Sequence, residues 1–360
     1  MNAPPEDQPD PARVLRRIAL LLETAAAPAY RVQAFRRAAA VIDPLSHQQL
    51  AALVSSGRLR QLPGVGETTA GIIAEAMAGD APAYLRRLEA EAESVPGVAT
   101  EARPILRALQ GDCHTHSDWS DGGATILEMA EAAIDLGRSY IVLTDHSPRL
   151  TVARGLTAER LREQLDLLIE VNAGLAPFRI LTGIEVDILE DGSLDQEENL
   201  LAELDLVVGS VHSQLRMQSD LMTRRMLSAI ANPHLDILGH CTGRLIAARN
   251  RPESTFDAAA VFAAAARYDK AIEINSRPER LDPPDPLLRL AIEAGCRFAI
   301  DSDAHAPGQL TWLRHGAEMA ARCNVDQNSI VNTLPAPDLL AWTASHAKVH
   351  PTSHVAGSFD

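Results

Sequence analysis

The chain has 360 residues, of which 46% are hydrophobic, so it can bury the core of one large domain and that of a smaller one. Its net charge of −15 argues against a protein coated in basic patches for nucleic acid. The sequence contains no apolar run of about 18 residues and no signal-peptide pattern at its start, so neither a membrane span nor secretion is expected.

The first ten residues are acidic and rich in proline, and they predict a disordered lead-in over residues 1–10. The four cysteines are Cys113, Cys241, Cys296 and Cys323. They lack the CxxC spacing of metal or redox motifs. This usage predicts reduced thiols and a cytoplasmic location, because disulfides are rare in that compartment.

Residues 11–92 predict a small helical domain. Apolar residues recur at helical spacing over residues 12–23, 30–42 and 50–55. Residues 11–88 contain ten arginines and five acidic residues, which gives this segment a net charge of +5. Such asymmetry is typical of a module that faces nucleic acid, although a solvated helix surface would give the same count.

A glycine turn precedes the next predicted helix. Residues 62–66 read Leu-Pro-Gly-Val-Gly and lead into the apolar helix pattern of residues 71–76. Backbone N–H groups at such a turn, together with the helix N-terminus, would bind a phosphate group. We therefore predict contacts with the DNA backbone here, with an ordinary glycine turn as the alternative. The candidate DNA-binding residues are Gly64, Val65, Gly66, Thr68, Thr69, Arg36 and Arg37.

The turn and the segments at residues 30–32 (Tyr-Arg-Val) and 34–39 (Ala-Phe-Arg-Arg-Ala-Ala) resemble the helix-hairpin-helix domain at the N-terminus of family X DNA polymerases. The resemblance implies sequence-independent binding of the DNA backbone. Some relatives use a lysine there to form a Schiff base with an abasic sugar, but no lysine precedes Lys270 in this chain. Residues 93–110 predict a connector. Since this leaves no room for a polymerase domain, we expect no polymerase activity.

From residue 111 onward, apolar runs of strand length alternate with helical patterns, which predicts a parallel α/β fold. The predicted strands are residues 112–116, 140–144, 179–186, 204–212, 235–240, 271–276 and 297–303. The predicted helices are residues 125–136, 157–171, 220–231, 256–268, 286–293 and 311–322.

Histidines and carboxylates gather at the carboxyl ends of these predicted strands. His114 and His116 are two residues apart on the first strand, so their side chains point the same way. In a barrel of parallel strands these ends meet at one mouth, where active sites lie. A single histidine is more often structural, but the set predicts a site for divalent metals. The candidate ligands are His114, His116, Asp121, His146, Glu185, His212, His240, Asp303 and His305.

Six of the twelve histidines belong to this set. We predict that the other six lie on the surface or in the tail. They are His47, His234, His315, His346, His350 and His354. Residues 346–360 are predicted to form a flexible tail.

The strand-end motifs resemble those of the PHP (polymerase and histidinol phosphatase) superfamily, and especially the PHP domain of bacterial family X polymerases. The motifs are His114-x-His116, Thr-Asp145-His146, Gly-Ile-Glu185, Ser-x-His212, Gly-His240 and Ser-Asp303-Ala-His305. The resemblance covers residues 111–345 and implies a distorted seven-stranded (β/α) barrel. It also implies three metal ions. The first would be held by His114, His116, Glu185 and Asp303, the second by Asp121, His146 and His305, and the third by Glu185, His212 and His240.

Three divalent ions with three carboxylate ligands would leave a charge of about +3, which suits a phosphate ester, and a metal-bound hydroxide would be the nucleophile. Zinc, manganese and iron suit these ligands alike, so the metal's identity stays open. Arg244, Arg277 and Arg280 follow strand ends and could bind phosphate oxygens or form surface ion pairs. Asn275 could meet the substrate, and Asp301 could orient a ligand histidine or carry a proton.

The leading hypothesis is a metal-dependent phosphoesterase acting on DNA in repair, as a 3′-to-5′ exonuclease, a 3′-phosphatase or an abasic-site nuclease. The main alternative is a small-molecule phosphatase of the histidinol-phosphatase type, because the chemistry would be the same. A non-catalytic DNA-binding protein with structural metals is a third hypothesis, which the complete ligand set disfavours. The expected partners are DNA and a phosphate-ester substrate, without a membrane, and a monomer is the expected state.

Overall fold

The computed structural model describes residues 10–246 and 250–346 of the chain. These residues form two compact units. The first contains the chain up to Gly97 together with residues 306–309, and the second contains residues 98–305 and the chain from Leu310 onward. The predicted lead-in, apart from Asp10, and the predicted tail beyond residue 346 lie outside the described residues. Within the described ranges, no helix combines the length and apolar character needed to cross a bilayer.

The described part of the first unit is a bundle of five α-helices. They are α1 (Pro11–Thr24), α2 (Ala29–Ile42), α3 (His47–Ser55), α4 (Glu67–Met77) and α5 (Ala83–Ser94). Helix α1 begins where the Asp10 side chain accepts a hydrogen bond from the Ala12 N–H at 3.0 Å, which caps an otherwise unpaired donor. Apolar residues at helical spacing, such as Leu15, Ile18 and Leu22, form the buried core.

The segment that the sequence predicts as a connector is largely helical. It contains a 3-10 helix, Thr100–Ala102, and α6 (Arg103–Ala108), both of which contact α13 (Leu313–Cys323) of the second unit. Ala102 and Ile105 are buried. The prediction of a plain connector is therefore wrong over these residues, because their apolar side chains complete the core of the second unit.

The second unit is built on a parallel seven-stranded sheet whose strands follow one another in sequence order and curve into a nearly closed barrel. The strands are β1 (Gly111–Thr115), β2 (Tyr140–Leu143), β3 (Arg179–Asp187), β4 (Leu206–Ser210), β5 (Ile237–Leu238), β6 (Ala271–Asn275) and β7 (Arg297–Asp301). The predicted fold class is confirmed.

The surrounding helices also lie where the sequence predicts them. Those between consecutive strands are α7 (Ile126–Asp135), α8 (Ala158–Leu175), α9 (Glu198–Leu201), α10 (Ser219–Ile230), α11 (Ala258–Arg267) and α12 (Asp285–Glu293). Helices α13 and α14 (Ala336–His346) follow β7. The short α9 and the C-terminal α14 are additions to the predicted set.

The barrel interior is layered along its axis. Ala271 of β6 and Ala299 of β7 lie in an apolar cluster near the amino ends of the strands. Side chains on a strand repeat every two residues, so the next inward positions on β6 and β7 are Glu273 and Asp301. The interior therefore changes from apolar at the amino ends to ionisable towards the carboxyl ends.

Helix α14 closes the amino end of this barrel. Leu339 and Trp342 join the apolar cluster of the interior. The final turn is fixed by His346, which is 1% exposed and whose Nδ1 lies 2.6 Å from Oδ1 of Asp236. The prediction that residue 346 belongs to a flexible tail is wrong, because its imidazole is hydrogen-bonded inside the fold.

Buried side chains bridge the joint between β7 and β1. Asp301 of β7 accepts from the Cys113 N–H of β1 at 2.8 Å, and Asn332 contacts backbone groups of both strands. Ladder pairing there is limited to a bridge between Thr115 and Ala304. Nearer the amino ends, the Asn332 Nδ2 donates to the carbonyl of Ile300 at 2.6 Å and to that of Gly111 at 3.1 Å. Its Oδ1 accepts from the Ile300 N–H at 3.1 Å. The amide of Asn332 thus replaces the missing backbone ladder between the first and last strands.

We expect Asn332→Ala to destabilise the barrel by about 3 kcal/mol, because it leaves buried backbone groups on both strands without partners. The chain's three tryptophans, Trp119, Trp312 and Trp342, all lie in the barrel unit, so urea unfolding followed by tryptophan fluorescence reports on it. Asn328→Ala, at an exposed position, is the control and should change stability little. Equal effects of the two substitutions would contradict this role for Asn332.

Candidate metal centre

Nine side chains converge at the carboxyl ends of the barrel strands. His114 lies on β1 and Glu185 on β3, while the others follow strand ends by a few residues. They are the nine residues predicted as ligands: His114, His116, Asp121, His146, Glu185, His212, His240, Asp303 and His305. The fold thus brings the whole predicted set to one mouth, with Glu185 at its centre.

One oxygen of Glu185 faces three imidazoles. Its Oε2 lies 2.8 Å from Nδ1 of His146, 3.3 Å from Nε2 of His114 and 3.6 Å from Nε2 of His116. Distances of this size around one carboxylate oxygen leave room for an ion to be coordinated by several of these atoms after small side-chain shifts.

The other oxygen of Glu185 faces two further imidazoles. Its Oε1 lies 3.0 Å from Nε2 of His240 and 3.3 Å from Nε2 of His212. The two oxygens of one carboxylate therefore face two separate groups of histidines. A carboxylate in this position can bridge two ions.

A second carboxylate arrangement surrounds Asp121 and Asp303. The Asp121 Oδ1 lies 3.3 Å from Nε2 of His305 and 3.5 Å from Nε2 of His146. The Asp303 Oδ1 lies 3.5 Å from Nε2 of His116. His146 thus contacts both Asp121 and Glu185, through its two ring nitrogens, and links the two halves of the mouth.

Potential ligand atoms cluster within 4.8 Å of one another in three overlapping groups. The groups are His116, Asp121, His146 and His305; His114, His116 and Glu185; and His146, Glu185 and His212. His240 and Asp303 adjoin these groups at the distances given above. The centre therefore offers several His/Asp/Glu clusters of the kind that hold metal ions.

Burial and charge set the protonation of the central carboxylate. Burial by itself would raise the pKa of Glu185, but the imidazoles of His114, His146 and His212 outweigh it and hold this pKa well below its ordinary value. Glu185 is therefore ionised in the fold, which is the state in which a carboxylate binds a metal.

The histidine nitrogens also fit a metal site. Burial, together with the neighbouring His305 and His146, lowers the pKa of His116 to about 3, so this imidazole is neutral. Among the described residues, several buried ring nitrogens have no hydrogen-bond partner. They are Nε2 of His114, both nitrogens of His116 and Nδ1 of His146, His212 and His240. Buried polar atoms are normally paired, so a cluster of unpaired imidazole nitrogens is best explained by metal ligation.

Glu273 is a residue of this centre that the sequence analysis did not identify. Its Oε1 lies 2.6 Å from Nδ1 of His114, and its Oε2 accepts hydrogen bonds from the His240 N–H and, at 3.1 Å, from Nδ2 of Asn275. A carboxylate behind a histidine fixes the tautomer and orientation of the ring. The available signal was its place two residues before Asn275, on the inward face of β6.

Two predicted roles change with these contacts. Asn275 is fully buried, and its Nδ2 also lies 3.3 Å from Oδ2 of Asp303, so it positions two carboxylates rather than meeting the substrate. Asp301 accepts from the Cys113 N–H at 2.8 Å. Burial, reinforced by Asp112 and Glu273, raises the pKa of Asp301 well above its ordinary range. The predicted orienting role thus belongs to Glu273 and not to Asp301.

Asp145 holds the loop that carries Asp121. It is fully buried and accepts hydrogen bonds from the Ser117 N–H at 2.9 Å and from the Ser117 Oγ at 2.6 Å. It also accepts from the Ser120 Oγ and from Nε2 of Gln164 at 2.7 Å. Asp145 and His146 are adjacent at the end of β2, so one orders a loop while the next faces the centre.

Arginines line the cavity above the nine side chains. The cavity has a volume of about 480 Å³, and Arg251, Arg277 and Arg280 contribute to its wall. Arg244 does not, because its Nε donates to the Arg280 carbonyl at 2.9 Å and its Nη2 donates to the Leu281 carbonyl. Of the two alternatives given for Arg244, the structure shows the ion pair, because its Nη1 lies 3.4 Å from Oε1 of Glu253, and its guanidinium also holds the loop that carries Arg280.

The glycine turn of the first unit forms as predicted. Gly64 has a φ of +86°, and Gly66 precedes α4. The Val65 N–H donates to the Leu62 carbonyl at 3.2 Å, and the Gly66 N–H donates to Oγ1 of Thr69 at 2.9 Å. These two N–H groups stabilise the turn itself, which leaves the first N–H groups of α4 to face an anion.

The predicted DNA-contact residues separate into exposed and internal ones. Arg37 and Thr68 are exposed, and the Arg37 side chain lies against Gly64, so both can meet a partner. Thr69 is 4% exposed and caps the turn, whereas the Arg36 Nε is 2.6 Å from Oε1 of buried Glu23. The contacts predicted for the side chains of Arg36 and Thr69 are therefore wrong, because both groups bond within the unit.

The chain matches two known domain families. Residues 112–277 match the PHP domain, and residues 6–80 match a helix-hairpin-helix domain. The first match covers most of the barrel, including seven of the nine side chains described above. The second covers the glycine turn and the helices before it.

The chain is also similar to individual proteins. The chain is 40% identical to the DNA polymerase/3′-5′ exonuclease PolX of Bacillus subtilis over 237 residues, which are 66% of this chain and 41% of the relative. It is 32% identical over 234 residues to a probable phosphatase of Thermoanaerobacter sp., covering 62% of this chain and 89% of the relative. A solved histidinol phosphate phosphatase of Lactococcus lactis, complexed with zinc, L-histidinol and phosphate, is 19% identical with a TM-score of 0.42, over 59% of this chain and 93% of that one.

We expect Glu273→Gln to weaken metal binding by about 10- to 100-fold, because it removes the charged acceptor that orients His114. Metal retained per chain after dialysis against buffered free zinc or manganese measures this effect. Asp301→Asn is the matched control. This carboxyl group is buried and accepts the Cys113 N–H, a bond that the amide oxygen of asparagine can also accept, so the metal content should stay unchanged. Equal losses from the two variants would contradict the assignment to Glu273.

Proposed function

The chain belongs to the PHP family of phosphoesterases, and we propose that its natural substrate is DNA. It would act on strand ends as a 3′-to-5′ exonuclease or 3′-phosphatase, or at abasic sites during repair. The observation that carries this proposal is the presence of a helix-hairpin-helix unit and a PHP barrel in one chain. The Bacillus subtilis relative, whose name includes a 3′-5′ exonuclease, supports it, although the chain spans less than half of that protein.

The first unit would bind the DNA backbone without reading sequence. The exposed Arg37 and Thr68 flank the glycine turn, and the N-terminus of α4 would complement a phosphate group. Contacts of this kind hold a strand but do not select bases. Such a unit would raise the local concentration of strand ends at the barrel rather than choose among sequences.

Three divalent metal ions would occupy the centre of the barrel. The ligand sets would be His114, His116, Glu185 and Asp303; Asp121, His146 and His305; and Glu185, His212 and His240. The positions of the two Glu185 oxygens, each facing a different group of imidazoles, support a bridging role. Metal-bound, the centre would supply a Lewis acid for phosphate oxygens and an activated water as nucleophile.

The protein's own groups would orient the ester. Arg277 and Arg280 line the cavity and carry guanidinium groups that match phosphate oxygens. The Arg280 Nε lies 3.1 Å from Oδ2 of Asp303, so it both neutralises and aligns that carboxylate. Glu273 would keep His114 in one tautomer throughout the reaction.

The ligand chemistry fits zinc, manganese and iron, since all three accept imidazole and carboxylate ligands. All four cysteines are free and buried, which is compatible with the reducing cytoplasm where DNA repair takes place in bacteria. A monomer would suffice for this activity, because every proposed ligand comes from one chain.

The alternative function is hydrolysis of a small phosphate monoester, such as histidinol phosphate. The probable phosphatase of Thermoanaerobacter supports it, because the chain covers 89% of that relative and so matches a phosphatase over most of its length. In that case the helical unit would have another role, and the centre would perform the same chemistry on a smaller substrate.

We expect the manganese-loaded chain to release nucleotides or phosphate from 3′-end-labelled DNA much faster than it hydrolyses histidinol phosphate, when kcat/KM values are compared. The physical reason is that the helical unit adds phosphate contacts that only DNA can use. Gel analysis of the labelled strand and a free-phosphate assay measure the two rates. Rapid turnover of histidinol phosphate with no DNA product would overturn the DNA proposal and favour the alternative.

We expect Arg37→Glu to reduce DNA turnover and to lower the salt dependence of DNA binding by about one unit of slope, since it removes one phosphate contact. Hydrolysis of p-nitrophenyl phosphate, whose single phosphate would be held at the metal centre, should stay the same. Arg13→Glu makes the same charge change at an exposed position on α1 and is the control. If both variants lose DNA turnover equally, net charge rather than the turn explains the effect.

A further inference from the structure

The wall of the cavity above the metal centre contains arginines beside the candidate ligands. Three arginines, Arg251, Arg277 and Arg280, line it. The Arg277 Nε pairs with Oε2 of Glu279 at 2.8 Å, so its charge is matched locally. The guanidinium groups of Arg251 and Arg280 are less completely paired.

The guanidinium group of Arg280 is only partly paired with hydrogen-bond acceptors. Its Nε donates to Oδ2 of Asp303 at 3.1 Å, while Oδ1 of the same carboxylate faces Nε2 of His116. Arg280 therefore stands beside the metal ligands, with Asp303 between it and His116. Its Nη1 is buried and, among the described residues, has no hydrogen-bond partner. The cavity wall includes Arg280 but not this shielded nitrogen, so the rest of the guanidinium group is what an anion would meet.

Arg251 has no carboxylate within ion-pair distance in the described ranges. Its Nε donates to the Gly243 carbonyl at 2.6 Å, which anchors the side chain, and the residue lines the cavity. Burial and the positive charge of Arg280 lower the pKa of Arg251. Arg251 and Arg280 line the same cavity with like charges, so an anion bound there would reduce their mutual repulsion.

We propose that Arg251, in the cavity wall that it shares with Arg280, forms a subsite for a second phosphate, distinct from the phosphate that is hydrolysed. The inference rests on the proposed phosphoesterase function and specifies its substrate class: an ester that carries another phosphate about one nucleotide away, as a DNA 3′ end does. Guanidinium forks bind phosphate through paired N–H groups. Arg244, which holds the Arg280 and Leu281 carbonyls, keeps this wall in place.

The subsite also separates the two candidate functions. Histidinol phosphate carries one phosphate and an ammonium group, and an ammonium beside Arg251 would be repelled. A nucleotide with two phosphates would satisfy both the metal centre and the arginines. The same cavity thus disfavours the small cationic ester and favours the end of a nucleic acid strand.

The test uses the full-length, manganese-loaded chain with two nucleotides that differ only in the second phosphate, thymidine 3′-phosphate and thymidine 3′,5′-bisphosphate. Chromatography follows loss of the 3′-phosphate from each. We expect kcat/KM to be at least about tenfold higher for the bisphosphate, as charged hydrogen bonds allow. Arg251→Gln should bring the ratio close to one. Arg224→Gln, an exposed arginine on α10, should leave the ratio unchanged.

Equal kcat/KM values for the two nucleotides in the unaltered chain would overturn the subsite while leaving the phosphoesterase in place. So would an Arg251→Gln variant that keeps the ratio, or an Arg224→Gln variant that loses it as strongly. If neither nucleotide is hydrolysed, the phosphoesterase proposal fails, and calorimetric titration still decides the subsite. The bisphosphate should then bind at least about tenfold more tightly to the unaltered chain than to Arg251→Gln, and equal affinities would overturn the subsite.

Discussion

The carboxylate of Glu185 is 1% exposed, and each of its oxygens faces a different group of imidazoles. An ionised carboxylate in such a place costs several kcal/mol unless positive charge or donors surround it. Five histidines from four different strand ends supply that surrounding, so the centre exists only if the strands meet in one order and register. The stability of the metal centre therefore depends on the closure of the barrel.

The order of the strands and the identity of the nine converging side chains followed from period-two alternation and from the rule that parallel strands end together. What the pattern could not supply was the behaviour of flexible side chains. Arg244 and Arg280 occupy similar places after strand ends, yet Arg244 turns back to backbone carbonyls while Arg280 enters the cavity. A guanidinium on a long stem can reach either partner, and only the three-dimensional positions of the acceptors decide.

Helical connectors and supporting residues were missed for related reasons. Residues 100–108 have prolines within or near them and many charged side chains, a composition typical of a linker. Ala102 and Ile105 nevertheless pack against apolar residues that are distant in sequence. Glu273 was hidden because it lies one layer below the ligands, where a carboxylate on a strand would ordinarily be unfavourable. His346 appeared to be a tail residue, since its partner Asp236 is 110 positions away. Long-range partners of this kind leave no local signature.

The floor made by Leu339 and Trp342 gives the barrel a blind end. Ions, water and product would then exchange with bulk solvent through the mouth, where the arginines stand. The end of a DNA strand bound there would block the mouth above the ligands, and its dissociation would reopen the path to solvent. Turnover then depends on how fast the bound DNA end dissociates, so the strength of binding at the cavity wall would set the rate of the reaction as well as its choice of substrate.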